Sequence, residues 1–418
     1  MVEIFPFRAM RPKKGMTQSV ASVPYDVVTR EEAEAIISDN PRSFLRVIRT
    51  DAELPEIDPD DERVYTHANE VFESFISNGL LINDPSPGYY IYSILHDGIE
   101  YTGLVCCVST DDYVNRVIKR HELTRYDKEA DRTRHIDKVN ANTGLVYLLY
   151  RDIEGIHDYV FSLIRTEPEE VAENPKGVIH RIYRISDPHI HRKLEDLFSG
   201  IESLYIADGH HRGKSAVNVA ELRKNEARYS TESGKFMVVM FAHDRVKIHG
   251  YSRLVKDLGG LTIDDFIGIL QKKFKVERYD EVNNKSYQIS PLVDDGSAHV
   301  MHLYTGNGRW YEVQIPIENP EDLIGSLDVT VIQEKVMEEI LGITDPRGDP
   351  RLSYMGGAKP LSGLENAVDS GDYVLAFAMQ PVRIDQVLEI ADNEGVMPPK
   401  STWFEPKLLS GLLIHKVD

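Results

Sequence analysis

The sequence predicts an α+β fold of mixed α/β character with antiparallel strands, arranged as two domains. Three observations carry this expectation. Two strand-like runs, Tyr89–Leu95 and Tyr101–Val108, are joined across His96-Asp97-Gly98, and an Asp-Gly pair between such runs accepts the positive φ angles a tight hairpin needs. Strand-like and helix-like segments then alternate through the middle of the chain, as they do in mixed α and β domains. Finally, Gly259-Gly260 interrupts the pattern just before a new helix, Thr262–Phe274, and a fresh set of strands. A chain of 418 residues exceeds what one core usually supports, about 250–300 residues, so the division is placed there: a catalytic domain over residues 1–260 and a C-terminal α/β domain over 261–418 that closes over the site.

Taken in order, the first clear element is an amphipathic helix from Asp61 to Gly79, where Val64, Ala68, Val71, Phe72, Phe75 and Ile76 share one face and Gly79 supplies a stop. Before it, Pro55–Asp61 reads as an exposed acidic loop. After the hairpin comes a charge run, Lys119 to His135, bracketed by an apolar strand and by the turn-rich Asn140-Ala141-Asn142-Thr143-Gly144. That bracketing predicts an exposed rim rather than a plain helix. Strands follow at Gly144–Tyr150 and Val178–Ile185, a helix at Pro188–Phe198, a strand at Leu204–Ala207, a helix from about Gly209, and a strand at Phe236–His243. The C-terminal part holds a helix at Ser326–Leu341 with Val329, Ile332, Val336 and Ile340 as its apolar stripe, a strand at Tyr373–Met379 and a helix at Arg383–Asn393.

Composition narrows the function. Apolar residues make up 41% and charged residues 28%, ordinary values for a globular protein. The formal charge of −20 repels a polyanion over most of the surface, so no nucleic-acid partner is expected, although a local basic pocket is compatible with it. Cys106 and Cys107 are adjacent inside an apolar run; neighbouring strand residues face opposite ways, so they build neither a disulfide framework nor a zinc site. Met1–Arg8 lacks the layout of a signal peptide and no stretch approaches a membrane span, which makes the cytoplasm the expected compartment, with no membrane partner. Oligomeric state is left open.

The sharpest chemical feature is the segment from Leu204 to Ala216, in which an apolar strand runs into Asp208-Gly209-His210-His211-Arg212 and then into a helix. Gly209 falls at the strand-to-helix turn, where backbone N–H groups and the positive helix end suit a phosphate. Arg212 can grip phosphate oxygens in a fork, Lys214 adds a charge, and His210 and His211 can donate hydrogen bonds or shuttle a proton. Asp208 can hold a histidine tautomer or a metal ion. The plainer alternative is a helix cap at Asp208 with the histidines satisfied locally.

A second constellation lies in the charge run. Lys119, Arg120, His121, Arg132, Arg134 and His135 are candidates for anion binding, and Glu122 is the chosen general base, since Lys119, Arg120, His121 and Arg125 would keep it ionised. Asp127, Glu129 and Asp131 are alternatives. Tyr25 and Asp26 near the start, and Lys400, Thr402 and Trp403 within Met397–Lys407, are candidate substrate contacts, Lys400 for an anion; for the latter segment, packing of the terminus over the core is the alternative. Neither a Walker-type loop nor a kinase Gly-rich loop is present.

The chain resembles a prokaryotic family long described as of unknown function and sometimes labelled ParB-like. The likeness runs through Phe5-Pro6-Phe7-Arg8-Ala9, Pro24-Tyr25-Asp26-Val27-Val28, Lys119-Arg120-His121-Glu122, Asp208-Gly209-His210-His211-Arg212 and Pro398 to Lys407. The Asp-Gly-His-His-Arg run is similar to the phosphate-binding turn of the ParB/sulfiredoxin superfamily, where ParB proteins carry Gly-Glu-Arg-Arg and sulfiredoxins Gly-Gly-Cys-His-Arg. It looks closest to the version in the free-serine kinases. The resemblance implies a ParB/sulfiredoxin-like catalytic core with insertions, and transfer of a phosphoryl group to the hydroxyl of free L-serine to give O-phospho-L-serine. It further implies that Asp208 to Arg212 form the phosphate cradle, with Mg²⁺ at Asp208, and that Glu122 takes the hydroxyl proton. Pyrophosphate stands beside the adenine nucleotides ADP and ATP as donor, because a donor made only of phosphates needs no base pocket. Three rivals remain at this point: a phosphatase forming a phosphohistidine at His210 or His211, a ParB-like nucleotide- or nucleic-acid-binding protein, and a sensor without turnover.

Overall fold

The computed structural model describes residues 1–153, 155–164, 167–174, 176–279, 298–357 and 360–418. They form two compact units, Met1–Val246 together with Pro406–Asp418, and Lys247–Glu405. The expected division after residue 260 therefore lies inside the second unit, and residues 406–418 return to the first. Burial explains the return: Leu408, Leu409, Leu412, Leu413, Ile414 and Val417 are all buried, each worth about 1.5–3 kcal/mol out of water. His415–Lys416 also pairs with Ala141–Asn142.

The first unit is built on a mixed sheet of nine strands among the described residues: β1 (Ile4–Phe5), β2 (Tyr89–His96), β3 (Ile99–Ser109), β4 (Ile118–Lys119), β5 (Val146–Tyr150), β6 (Glu170–Glu173), β7 (Ile179–Ile185), β8 (Leu204–Asp208) and β9 (Lys235–Ala242). Eight of them run in the order β4-β8-β5-β9-β3-β2-β7-β6, with β1 on β3. The β4–β8 and β5–β9 pairs are parallel and the others antiparallel. The hairpin forms as expected: His96 pairs with Ile99, and Asp97 and Gly98 both have positive φ, 51° and 75°, the two-residue turn whose twist matches the strands. Alternation along β3 sends Cys106 into one core cluster, with Leu104, Leu148, Ile206 and Met240. Both thiols are free and buried, and burial pushes both up.

Four helices matter for the site: α1 (Glu62–Ser77), α2 (Tyr126–Val139), α3 (Pro188–Ser199) and α4 (His210–Asn225). In α1 the expected stripe is the buried face, and Asp61 caps it by accepting the Arg63 N–H. Helix α2 corrects the expected rim, because most of the charge run is helical. Asp127 and Glu129 sit in its first turn and Lys138 in its last, matching the helix dipole, and Asn140 ends it with φ 58°. Its inward face is His135, Ile136 and Val139.

In the second unit, among the described residues, six strands form an antiparallel sheet: β10 (Tyr251–Val255), β11 (Lys275–Tyr279), β12 (Ala298–Tyr304), β13 (Trp310–Pro316), β14 (Leu352–Gly356) and β15 (Leu375–Ala378), ordered β11-β13-β12-β15-β10-β14. The helix expected at 326–341 is an α-turn at Asp328–Ile332 that widens into a π-helix at Gln333–Glu338. Beyond it the Gln333 side chain donates to the Ile343 carbonyl at 2.8 Å. Both units mix helices and sheets, so the chain is α+β. Among the described residues no helix is long and apolar enough to cross a membrane.

Candidate active site at the end of a central strand

Strand β8 ends at Asp208, and the chain turns into α4 through Gly209, whose φ is +92°. A Cβ at Gly209 would stand 2.9 Å from Nε of Arg212, so the glycine supplies both the left-handed turn and the room for Arg212 to fold back over it. The N-cap of α4 is Gly209, which has no side chain to cap it. Asp208 Oδ2 accepts from Lys407 Nζ at 3.2 Å, and Oδ1 lies 3.7 Å from Nη2 of Arg212. Burial alone would raise this carboxyl, but Lys407 and Arg212 outweigh it and hold Asp208 well below the usual carboxylate range.

The two histidines diverge, as successive helix residues must. His210 is buried and meets His121 edge to face, with ring centroids 4.7 Å apart at 89°. Its Nε2 is buried without a hydrogen-bond partner among the described residues. Burial, reinforced by His121, pushes His210 well below the ordinary histidine value, and burial takes His121 down to about 4; both rings are neutral near pH 7. His211 turns the other way, and its Nε2 accepts the Arg125 backbone N–H at 3.0 Å, which leaves its proton on Nδ1. Burial lowers His211 as well, opposed by the charges of Asp26, Glu129 and Asp127. The stretch from His121 to Arg125 is thus fastened to the His210-His211 pair at both ends.

Beside this turn lies a small cleft of about 30 Å³, lined by Tyr25, Arg132, His135, Asn142, Thr143, Gly144, Arg212 and Ser410 over apolar side chains that include Ile48, Val146, Phe236 and Met237. The Arg132 guanidinium lies 4.5 Å from the Tyr25 ring centroid. Its Nε donates to Asp131 Oδ2 at 2.8 Å, while Tyr65 donates to Asp131 Oδ1 at 2.9 Å. Arg212 Nη1 donates to the Leu145 carbonyl. Burial, then the charge of Asp26, pushes the Tyr25 phenol up to about 12. His135 bonds the Val47 carbonyl through Nε2 at 2.8 Å, and burial takes it down to about 4.

The structure therefore gathers Tyr25, Asp26, His121, Arg132, His135, Asp208, Gly209, His210, His211 and Arg212 into one region of the first unit. Glu122 is half-buried in the bend after His121. Lys119 lies over the Tyr205 ring at 5.8 Å and Arg120 over Tyr113 at 4.9 Å. Lys214 is half-buried on α4. Arg134 is spent elsewhere: it lies over Tyr65 and donates to the Asp60 carbonyl at 2.8 Å. Lys400, Thr402 and Trp403 belong to the second unit, where Lys400 and Trp403 both meet the Tyr251 ring, at 5.4 and 5.5 Å. Sequence reasoning missed Lys407 as a site residue; its only signal was the second lysine of the Pro398 to Lys407 segment. It also left Asp131 as one alternative base, whereas Asp131 holds Arg132. Among the described residues no group of three or more His, Cys, Asp or Glu side chains comes together for a metal ion.

A family described as "Protein of unknown function (DUF1015)" matches residues 4–330. No curated protein matches the chain. Among solved structures, a free serine kinase in complex with AMP is similar at 13% identity and a TM-score of 0.35, covering 73% of this chain and 88% of that one. A conserved hypothetical protein from Pyrococcus furiosus gives 13% identity and 0.34 over 72% of this chain and 90% of that one. SbnI from Staphylococcus aureus, truncated at its C-terminus, gives 10% and 0.37 over 72% and 82%.

Proposed function

The chain belongs to the DUF1015 family, and we propose that it is a phosphotransferase that moves a phosphoryl group onto the hydroxyl of free L-serine, with pyrophosphate or an adenine nucleotide as donor. One observation carries the reading: an ionised Asp208, flanked by Lys407 and Arg212 at an uncapped helix start, is fastened through His210 and His211 to the stretch that holds Glu122. Fixed cations and helix N–H groups are what a transferring phosphoryl group requires, since catalysis of this transfer is mostly positioning and charge stabilisation. Glu122 is the proposed base. It accepts the serine hydroxyl proton as the oxygen attacks phosphorus, and the bond to the leaving phosphate breaks.

Mg²⁺ is proposed at this site with Asp208 as its one protein ligand, the ion sharing that carboxylate with Lys407 and Arg212. Asp208 is ionised and only partly covered, and Mg²⁺ needs no more than one or two carboxylates besides substrate phosphates and water. When bound, the ion would offset phosphate charge. The choice of serine rests on the likeness of the Asp-Gly-His-His-Arg run to the free-serine kinases. A phosphohistidine mechanism is less favoured, because Nε2 of His211 is engaged by Arg125 and the His210 ring is buried against His121.

The test is a phosphorus NMR time course with purified protein, Mg²⁺ and L-serine, with pyrophosphate, ADP or ATP in separate tubes. An O-phosphoserine resonance in one tube is expected and names the donor. Hydrolysis of added O-phosphoserine, with no synthesis from any donor, would replace the proposal by the phosphatase.

A further inference from the structure

We propose that the cleft between Arg132 and Arg212 is a subsite for the carboxylate of a small amino acid, adjoining the phosphate-facing turn at Asp208 and sharing Arg212 with it. The assignment deepens the phosphotransferase reading, and only the identity of the amino acid rests on it.

Five features of the cleft support a carboxylate. Its polar lining is rich in donors and contains neither Asp nor Glu. Arg132 spends Nε on Asp131 and Nη1 on the Ile48 carbonyl at 3.4 Å, and Arg212 spends Nη1 on the Leu145 carbonyl with Nη2 3.7 Å from Asp208 Oδ1, so among the described residues each guanidinium keeps N–H groups without a hydrogen bond. Planar forks of this kind match the two oxygens of a carboxylate.

Charge points the same way. Behind the lining Arg132 pairs with Asp131, and Arg212 shares Asp208 with Lys407, so three cations meet two carboxylates around the two guanidiniums. The floor beneath the donors is apolar, with Ile48, Val146 and Phe236; it offers nothing to the third and fourth oxygens of a phosphate and suits a short carbon chain.

The site is also built in advance. Tyr65 holds Asp131, Asp131 holds Arg132, and the Tyr25 ring backs the guanidinium. Arg212 is pinned by the Leu145 carbonyl and by its fold over Gly209. Ordering costs on binding are small in such a site.

The experiment is calorimetric titration of the whole protein with L-serine, acetate, ethanolamine and inorganic pyrophosphate, repeated on Arg132→Met and Arg132→Lys. Wild type is expected to bind L-serine and acetate but not ethanolamine, which lacks the carboxylate. Arg132→Met should weaken L-serine on the order of 10- to 100-fold, as for a lost charged hydrogen-bond pair, and leave pyrophosphate within about twofold. Arg132→Lys, which keeps the charge and loses the fork, should also weaken L-serine and covers the case in which the methionine variant does not fold. A parallel loss of pyrophosphate affinity, equal binding of ethanolamine and L-serine, or no binding of any carboxylate would overturn the assignment. Arg132-dependent acetate binding without any O-phosphoserine formation would support the cleft while the phosphotransferase reading fails. Phosphorylation of L-serine with an unchanged KM in Arg132→Met would overturn the cleft and spare the phosphotransferase.

Discussion

Asp208 joins the electrostatics of the site to its backbone, and two predictions belong to it and its neighbour. Lys407 and Arg212 hold its carboxyl low against burial, so Lys407→Met should raise that carboxyl and move the acid limb of the pH–rate profile to higher pH; an unmoved limb would show that Asp208 does not titrate in catalysis. In linkage terms, a depressed carboxyl stabilises the fold above its unfolded value and loses that stability as pH falls through the folded one, so the same variant should narrow the stable range on the acid side. Gly209→Ala combines a φ of +92° with a contact of 2.9 Å to Arg212 and should cost about 1–3 kcal/mol, seen as a lower urea midpoint. The turn itself was legible, because a strand running into Asp-Gly and then into a helix former has few other local solutions. Lys407 was not: it is 199 positions from Asp208 in sequence, and nothing in residue spacing signals a pair that meets only through tertiary packing.

At the level of elements, legibility followed local periodicity. Helix α1 was readable because its buried face is apolar apart from the Tyr65 hydroxyl, whereas α2 was hidden because charged and polar side chains do part of its burying: Arg132 stacks on Tyr25 and His135 bonds a carbonyl. A charge run with satisfied partners looks the same in sequence as a solvated one. The π-helix at Gln333–Glu338 was equally hidden, since an apolar stripe tolerates one widened turn. For the hairpin, Gly98 has φ 75° and a Cβ there would meet nothing within 4 Å. Gly98→Ala should therefore cost on the order of 1 kcal/mol through backbone strain alone, measured by chemical denaturation, with catalysis unchanged. A cost near zero would mean that the turn relaxes to another type.

On the scale of the whole molecule, Lys247–Glu405 stands as an excursion between two parts of the first unit. The sequence break at Gly259-Gly260 lay near the outward crossing, but the return depends on burial of the tail and on pairing with Ala141–Asn142, long-range terms with no local mark. The first unit also buries neutral histidines, with His121, His135 and His180 each taken down to about 4 by burial. The unfolded chain takes up these protons first, so stability should decline as pH falls from about 6.5, the ordinary histidine value, toward 4. Thermal melts across that window test this; a flat Tm would mean that these histidines take up protons in the folded protein as readily as in the unfolded chain. The central claim, that the Asp208 turn is a phosphoryl-transfer site, is tested most directly by the rate of O-phosphoserine formation in Asp208→Asn relative to wild type. The account predicts a loss on the order of 100-fold in a variant that still folds at neutral pH with a melting temperature lowered by the lost carboxylate pairing, whereas wild-type turnover in the folded variant would contradict it.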